Sequence, residues 1–141
     1  MGFLDDWNEK LPYDRYAEET KGKLLSILDV IFSLTEIFGF TGRLATSDVY
    51  RDEWSVVIDL TLHGVQKRQL YGRGIHQIPS FSGYTTAAKE ITYTVTLPKE
   101  EIIANPQELA RKAEQYIFER FGWSPSDQLL ATIQSELNIH S

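Results

Sequence analysis

The chain has 141 residues, a net charge of −6 and 42% apolar residues, including 3 Trp, 7 Tyr and 7 Phe. That is the length of one domain with enough large side chains for a packed core, and it argues against disorder. The lack of cysteine excludes disulfides, thiolate metal sites and cysteine nucleophiles, and fits a cytoplasmic setting; the acidic balance excludes binding to DNA or anionic lipid over the whole surface.

Phe3, Leu4, Trp7 and Leu11 fall at helical spacing before Pro12 and predict a short N-terminal helical arm over residues 1–11. Three acids and no basic region in Met1–Lys10 do not read as a secretory signal, and no segment reaches the ~18–20 apolar residues of a membrane span. Next comes a stronger helix, with Asp14 as N-cap and Leu24, Ile27, Leu28, Ile31, Leu34 and Phe38 repeating every three or four residues. Gly39 suits the left-handed position past its end, with Phe40 folding back on the last turn. Leu44–Val49 is a weaker strand candidate, followed by a turn at Tyr50–Glu53.

From Trp54 to Leu62 apolar and polar residues alternate, which predicts a half-buried strand. Trp54, Val56, Ile58, Leu60 and Leu62 share one face; Ser55, Val57, Asp59, Thr61 and His63 share the other. His63-Gly64 can turn the chain, and Val65–Tyr71 can pair back as an edge strand. Ile91–Leu97 is a second clear strand, with Ile91, Tyr93, Val95 and Leu97 opposite Thr92, Thr94 and Thr96. Pro98 ends it. Asn105-Pro106-Gln107-Glu108 opens a helix with Leu109, Ala113, Tyr116, Ile117 and Phe121 as its stripe and Gly122 as its stop. Ser124-Pro125-Ser126-Asp127 opens another, faced by Leu129, Leu130, Ile133 and Leu137. The expected fold is a single two-layer α+β domain: an antiparallel sheet of three to four strands with helices on one face, in the order α-β-β-β-α-α. Hairpin-like connections leave no helix for a parallel crossover.

One stretch departs from the acidic balance. Between Asp59 and Glu90 there is no acid, and Leu60–Lys89 carries Lys67, Arg68, Arg73 and Lys89. A local reversal of sign favours an anion or an acidic partner. Within it, Gly72–Ala88 lacks periodicity and reads as a long Gly-rich loop, a length that is functional or disordered in a compact domain. Gly72 and Gly74 would let the backbone amides around Arg73 converge, with His76 close behind, but no GxxxxGK[ST] is present. Part of the charge has a structural reason, because cations on an edge strand discourage edge-to-edge pairing.

Three classes of function follow. The first is a non-enzymatic interaction or adaptor module that meets a protein partner through this basic loop, with Lys67, Arg68, Tyr71, Arg73, His76 and Tyr84 as binding residues. The second is an accessory nucleic-acid-binding protein, using the cations for phosphates and Tyr71 and Tyr84 for stacked bases. Four cations give that reading a small footprint, and the sheet's polar face has no aromatic ring. The third is an enzyme with a site near Asp59, His63 and His76. Asp59 and His63 stand roughly 13 Å apart at ~3.3 Å per residue, too far for a direct hydrogen bond. The histidines at 63, 76 and 140 have no metal-ligand spacing, so no metal or cofactor is expected. A homodimer is a further expectation, through the uncharged Thr92/Thr94/Thr96 face or the N-terminal arm.

Overall fold

The computed structural model describes residues 24–47, 55–72 and 84–139. The predicted N-terminal arm, Asp14, Trp54 and the Tyr50–Glu53 turn lie outside these residues. In chain order the elements are β1 (Leu24–Ser26), α1 (Ile27–Ala45), β2 (Ser55–His63), β3 (Gln69–Tyr71), β4 (Glu90–Pro98), α2 (Lys99–Ala104), α3 (Pro106–Glu119) and α4 (Asp127–Ile139). The fold is α+β, with helices packed on one face of an antiparallel β2–β4 pair.

β2 and β4 pair over nine residues, from Ser55 opposite Pro98 to His63 opposite Glu90. The alternation read from the sequence is obeyed. Val56, Ile58, Leu60 and Leu62 are buried with Ile91 and Leu97, while Ser55, Val57, Asp59 and the three threonines of β4 face solvent. Under this face lie Ile102, Ala110, Ala113, Ile117, Phe118 and Phe121, joined by Ile31, Leu34 and Phe38 of α1. The last two helices begin where expected. Pro106 opens α3, Gly122 stops it at a φ of 89°, and Ser126 Oγ accepts from Leu129 N at 3.1 Å to cap α4. Asn105 precedes Pro106 without a side-chain capping bond.

Four expectations are corrected. Leu24 and Leu25 belong to a strand, not to the helix; α1 starts at Ser26, whose Oγ accepts from Asp29 N at 3.3 Å. Nor does α1 stop at Gly39. It continues to Ala45, because Gly42 and Ala45 extend the buried stripe and outweigh the ~1 kcal/mol cost of an interior glycine. Phe40 is therefore a solvent-facing helical residue, 54% exposed, and Leu44 and Ala45 are helix and not strand. Thirdly, 65–71 does not fold back on β2. Gly64 and Lys67 take positive φ (68° and 64°) and Arg68 N closes on Val65 O at 3.0 Å, which turns the chain away.

The fourth correction concerns the sheet. Only Gln69–Tyr71 is extended, and it pairs in parallel with β1, so the strands form two two-stranded pairs and not one sheet of three or four. α1 and β2 together supply the crossover that a parallel pair needs. A short helix also follows Pro98 directly, where the sequence suggested only solvated charge at Glu100 and Glu101.

Candidate interaction surface

Four of the six predicted binding residues gather on one small β patch. Lys67 N donates to Thr86 O and Leu70 N donates to Tyr84 O, both at 2.9 Å, and Gln69 bridges Thr85 antiparallel. The chain therefore leaves beside β3 at Gly72 and returns along it at residues 84–86. Arg73 and His76 lie outside the described residues. Lys67 is exposed; Arg68, Tyr71 and Tyr84 are half-buried. Tyr84 also packs against the core, and its ring comes within 3.9 Å of where a Cβ on Gly122 would stand. The positive φ of Lys67 gives that residue a turn-forming role beside any role of its charge.

Asp59 and His63 project from the exposed face of β2 and each turns to β4. Thr94 Oγ1 donates to Asp59 Oδ1 at 2.9 Å, and His63 Nδ1 lies 3.0 Å from Glu90 Oε2. Both contacts are open to solvent, so their electrostatic contribution is small. The strand thus separates Asp59 from His63, and His76 lies outside the described residues. Among the described residues no three His, Asp or Glu side chains are grouped to hold a metal, and no helix is long and apolar enough to cross a membrane.

Sequence reasoning missed the buried polar groups. Glu114 is fully buried on α3, and burial pushes its carboxyl well above the ordinary range, against the opposing Arg111 charge and the Thr35 and Gln134 hydrogen bonds. Gln134 is the hub. Its Nε2 donates to Thr35 Oγ1 and Gln107 O, both at 3.1 Å, and its Oε1 accepts from Arg111 Nη1 at 2.9 Å. Arg111 Nε also donates to Asp127 Oδ1 at 2.8 Å. Helices α1, α3 and α4 are joined through this node. The available signal was position: Glu114 falls midway between Ala110 and Phe118 on the apolar stripe. Beside the node, a groove of about 350 Å³ runs between α1 and the start of α3, lined by Thr35, Gly39, Arg43, Ile103 and Gln107 among others.

A second pair lies on α1, where Asp29 and Ser33 are both buried, one turn apart, and neither Asp29 Oδ2 nor Ser33 Oγ has a hydrogen-bond partner. Burial raises the Asp29 carboxyl to about 7. Comparison of the chain with protein-family models, with curated proteins and with solved structures returned no match.

Proposed function

We propose that the chain is a small non-enzymatic interaction module of the cytoplasm, an adaptor that binds an acidic protein partner through the basic, Gly-rich connection over residues 72–89. One observation carries this reading. Two backbone hydrogen bonds, from Leu70 N to Tyr84 O and from Lys67 N to Thr86 O, hold the departing and returning chain side by side. A base fixed in this way lowers the ordering cost of binding at the connection it supports. Lys67, Arg68, Tyr71 and Tyr84 stand at that base, and the charge of the window opposes that of the rest of the chain. An acidic surface on the partner would be steered to it.

The test is quantitative affinity capture with the wild type and with an Arg68→Ala/Arg73→Ala variant, after thermal melts show that the variant is folded. A specific partner that is retained by the wild type and lost from the variant is the expected result. Recovery of the same proteins by both chains overturns the reading. So does tight binding of a single-stranded oligonucleotide that weakens steeply with salt, which is the mark of phosphate contacts.

A further inference from the structure

The β2–β4 pair has two outer edges. Each strand is nine residues long, and no hydrogen bond of the described residues closes either edge. A long open edge is a template for another strand, and folded proteins blunt it with charge, proline or a cover. The two edges differ in this respect. β2 carries Asp59 at its midpoint and His63 at its end, whereas β4 carries one charged residue, Glu90, at its first position.

The burial of the inward faces differs as well. All four inward residues of β2 are buried. On β4, Ile91 and Leu97 are buried, but the central pair, Tyr93 and Val95, is only half-buried. Tyr93 rests at 5.3 Å on Tyr116, itself 36% exposed, with the Arg120 guanidinium 4.2 Å above the Tyr116 ring. The apolar layer is therefore incomplete beneath the middle of β4 and nowhere else on the pair.

We propose that the occupant of this edge is a second copy of the chain, with β4 pairing antiparallel to β4 of the partner across a two-fold axis at Thr94. The strand is self-complementary about that residue. Thr94 meets its own copy, Thr92 meets Thr96, Tyr93 meets Val95, Ile91 meets Leu97 and Glu90 meets Pro98. Every opposed pair within Ile91–Leu97 has matching polarity, and no pair sets like charge against like charge. The half-buried Tyr93 and Val95 lie next to the axis, where the other copy's Val95 and Tyr93 complete the apolar layer. Pro98, which has no N–H to offer, stands at the end of the ladder. The same operation on β2 would place Asp59 against Asp59 at ~5 Å, so the β2 edge resists it. The product is a continuous four-stranded antiparallel sheet, and this interface is independent of the basic connection.

The absence of cysteine makes the register testable by cross-linking in the full chain. Under mild oxidation Thr94→Cys is expected to give a covalent dimer by itself. Thr92→Cys and Thr96→Cys are each expected to stay uncross-linked alone and to cross-link when mixed, while Thr61→Cys on β2 does neither. In sedimentation, the wild type is expected at twice the chain mass and Thr94→Lys at the monomer mass. The introduced ammonium would face Asp59 within its own sheet, which preserves the fold, and would face its own copy across the axis, which opposes pairing; an unchanged circular dichroism spectrum checks the first point. A monomeric wild type overturns the proposal, as does a folded Thr94→Lys variant that remains dimeric. Cross-linking of Thr61→Cys as readily as Thr94→Cys also overturns it.

Discussion

A Cβ on Gly42 would stand 2.8 Å from the carbonyl oxygen of Ile102, closer than a carbon and that oxygen can approach. α1 and α2 are in contact through this bare position. Replacing Gly42 with Ala must push the two helices apart, and stability is expected to fall by ~1–3 kcal/mol. Gly39, one turn earlier on the same helix, is the internal control. Its added Cβ would meet only the end of Arg43 at 3.6 Å, an ordinary contact. Gly39→Ala is expected to gain ~0.5–1 kcal/mol from helix propensity alone. Urea unfolding of the two variants gives the signs; equal effects would mean that the α1–α2 approach is not close.

The turn after β2 contains two left-handed residues of different kinds, Gly64 and Lys67. A Cβ on Gly64 would meet nothing within 4 Å, so Gly64→Ala loses only conformational energy, about 1 kcal/mol. Lys67 already bears the corresponding cost. Lys67→Gly is therefore expected to hold or slightly raise stability while it removes the charge, and thermal melts of both variants check the contrast. The same variant, used in the capture experiment, separates the turn-forming role of Lys67 from a role in binding.

The fold was legible where burial enforces a period. The two long strands, with their faces, and the starts of α3 and α4 follow from alternation, Pro106 and Ser126, because these local signals agree with the packing. The signals failed where local chemistry was outweighed. Gly39 looks like a helix end, but the contacts of Phe38, Gly42 and Ala45 carry α1 through it. The partner of 69–71 was not legible, since a three-residue strand has too little pattern to choose between β2 and the distant Leu24–Ser26. For the candidate surface, the cations and rings could be read from composition. Their meeting on one patch depends on the return of 84–86 along β3, a tertiary fact that no spacing encodes. Glu114 and Gln134 were missed: the place of Glu114 on the apolar stripe of α3 is a signal of burial, but the stripe does not say which polar partners from α1 and α4 meet it.

Gln134 holds that node together. Changing it to Leu leaves Thr35, Gln107 O and Arg111 each short of a partner in a part-buried site. A loss of ~1–3 kcal/mol is expected, with no change in secondary structure. Thr132→Ala, on the exposed turn of the same helix, should cost far less, since its hydroxyl only donates to Gln128 O. Urea midpoints by far-ultraviolet circular dichroism decide the matter, and similar losses at both positions would show that the node contributes nothing beyond helix propensity.

Asp29 gives the fold a pH dependence whose sign can be worked out. It lies in the first turn of α1, where the helix dipole favours a carboxylate. Burial nevertheless wins and raises its pKa from 3.8 to about 7, with Oδ2 left without a partner. Folding therefore favours the protonated form. Below 3.8 both states hold the proton and the contribution of Asp29 is fully present. As pH rises toward 7 the unfolded chain gives up the proton and the folded chain must keep it, so stability falls. Above about 7 the loss levels off, at a size on the order of 2–4 kcal/mol. Asp29→Asn keeps the shape of the side chain and removes the titration. The wild-type urea midpoint is thus expected to drop between about pH 5 and about pH 8 by more than that of Asp29→Asn, with the variant the more stable at the upper value. Parallel curves for the two proteins would place the ionised carboxylate in contact with solvent or a cation, and would remove Asp29 as the source.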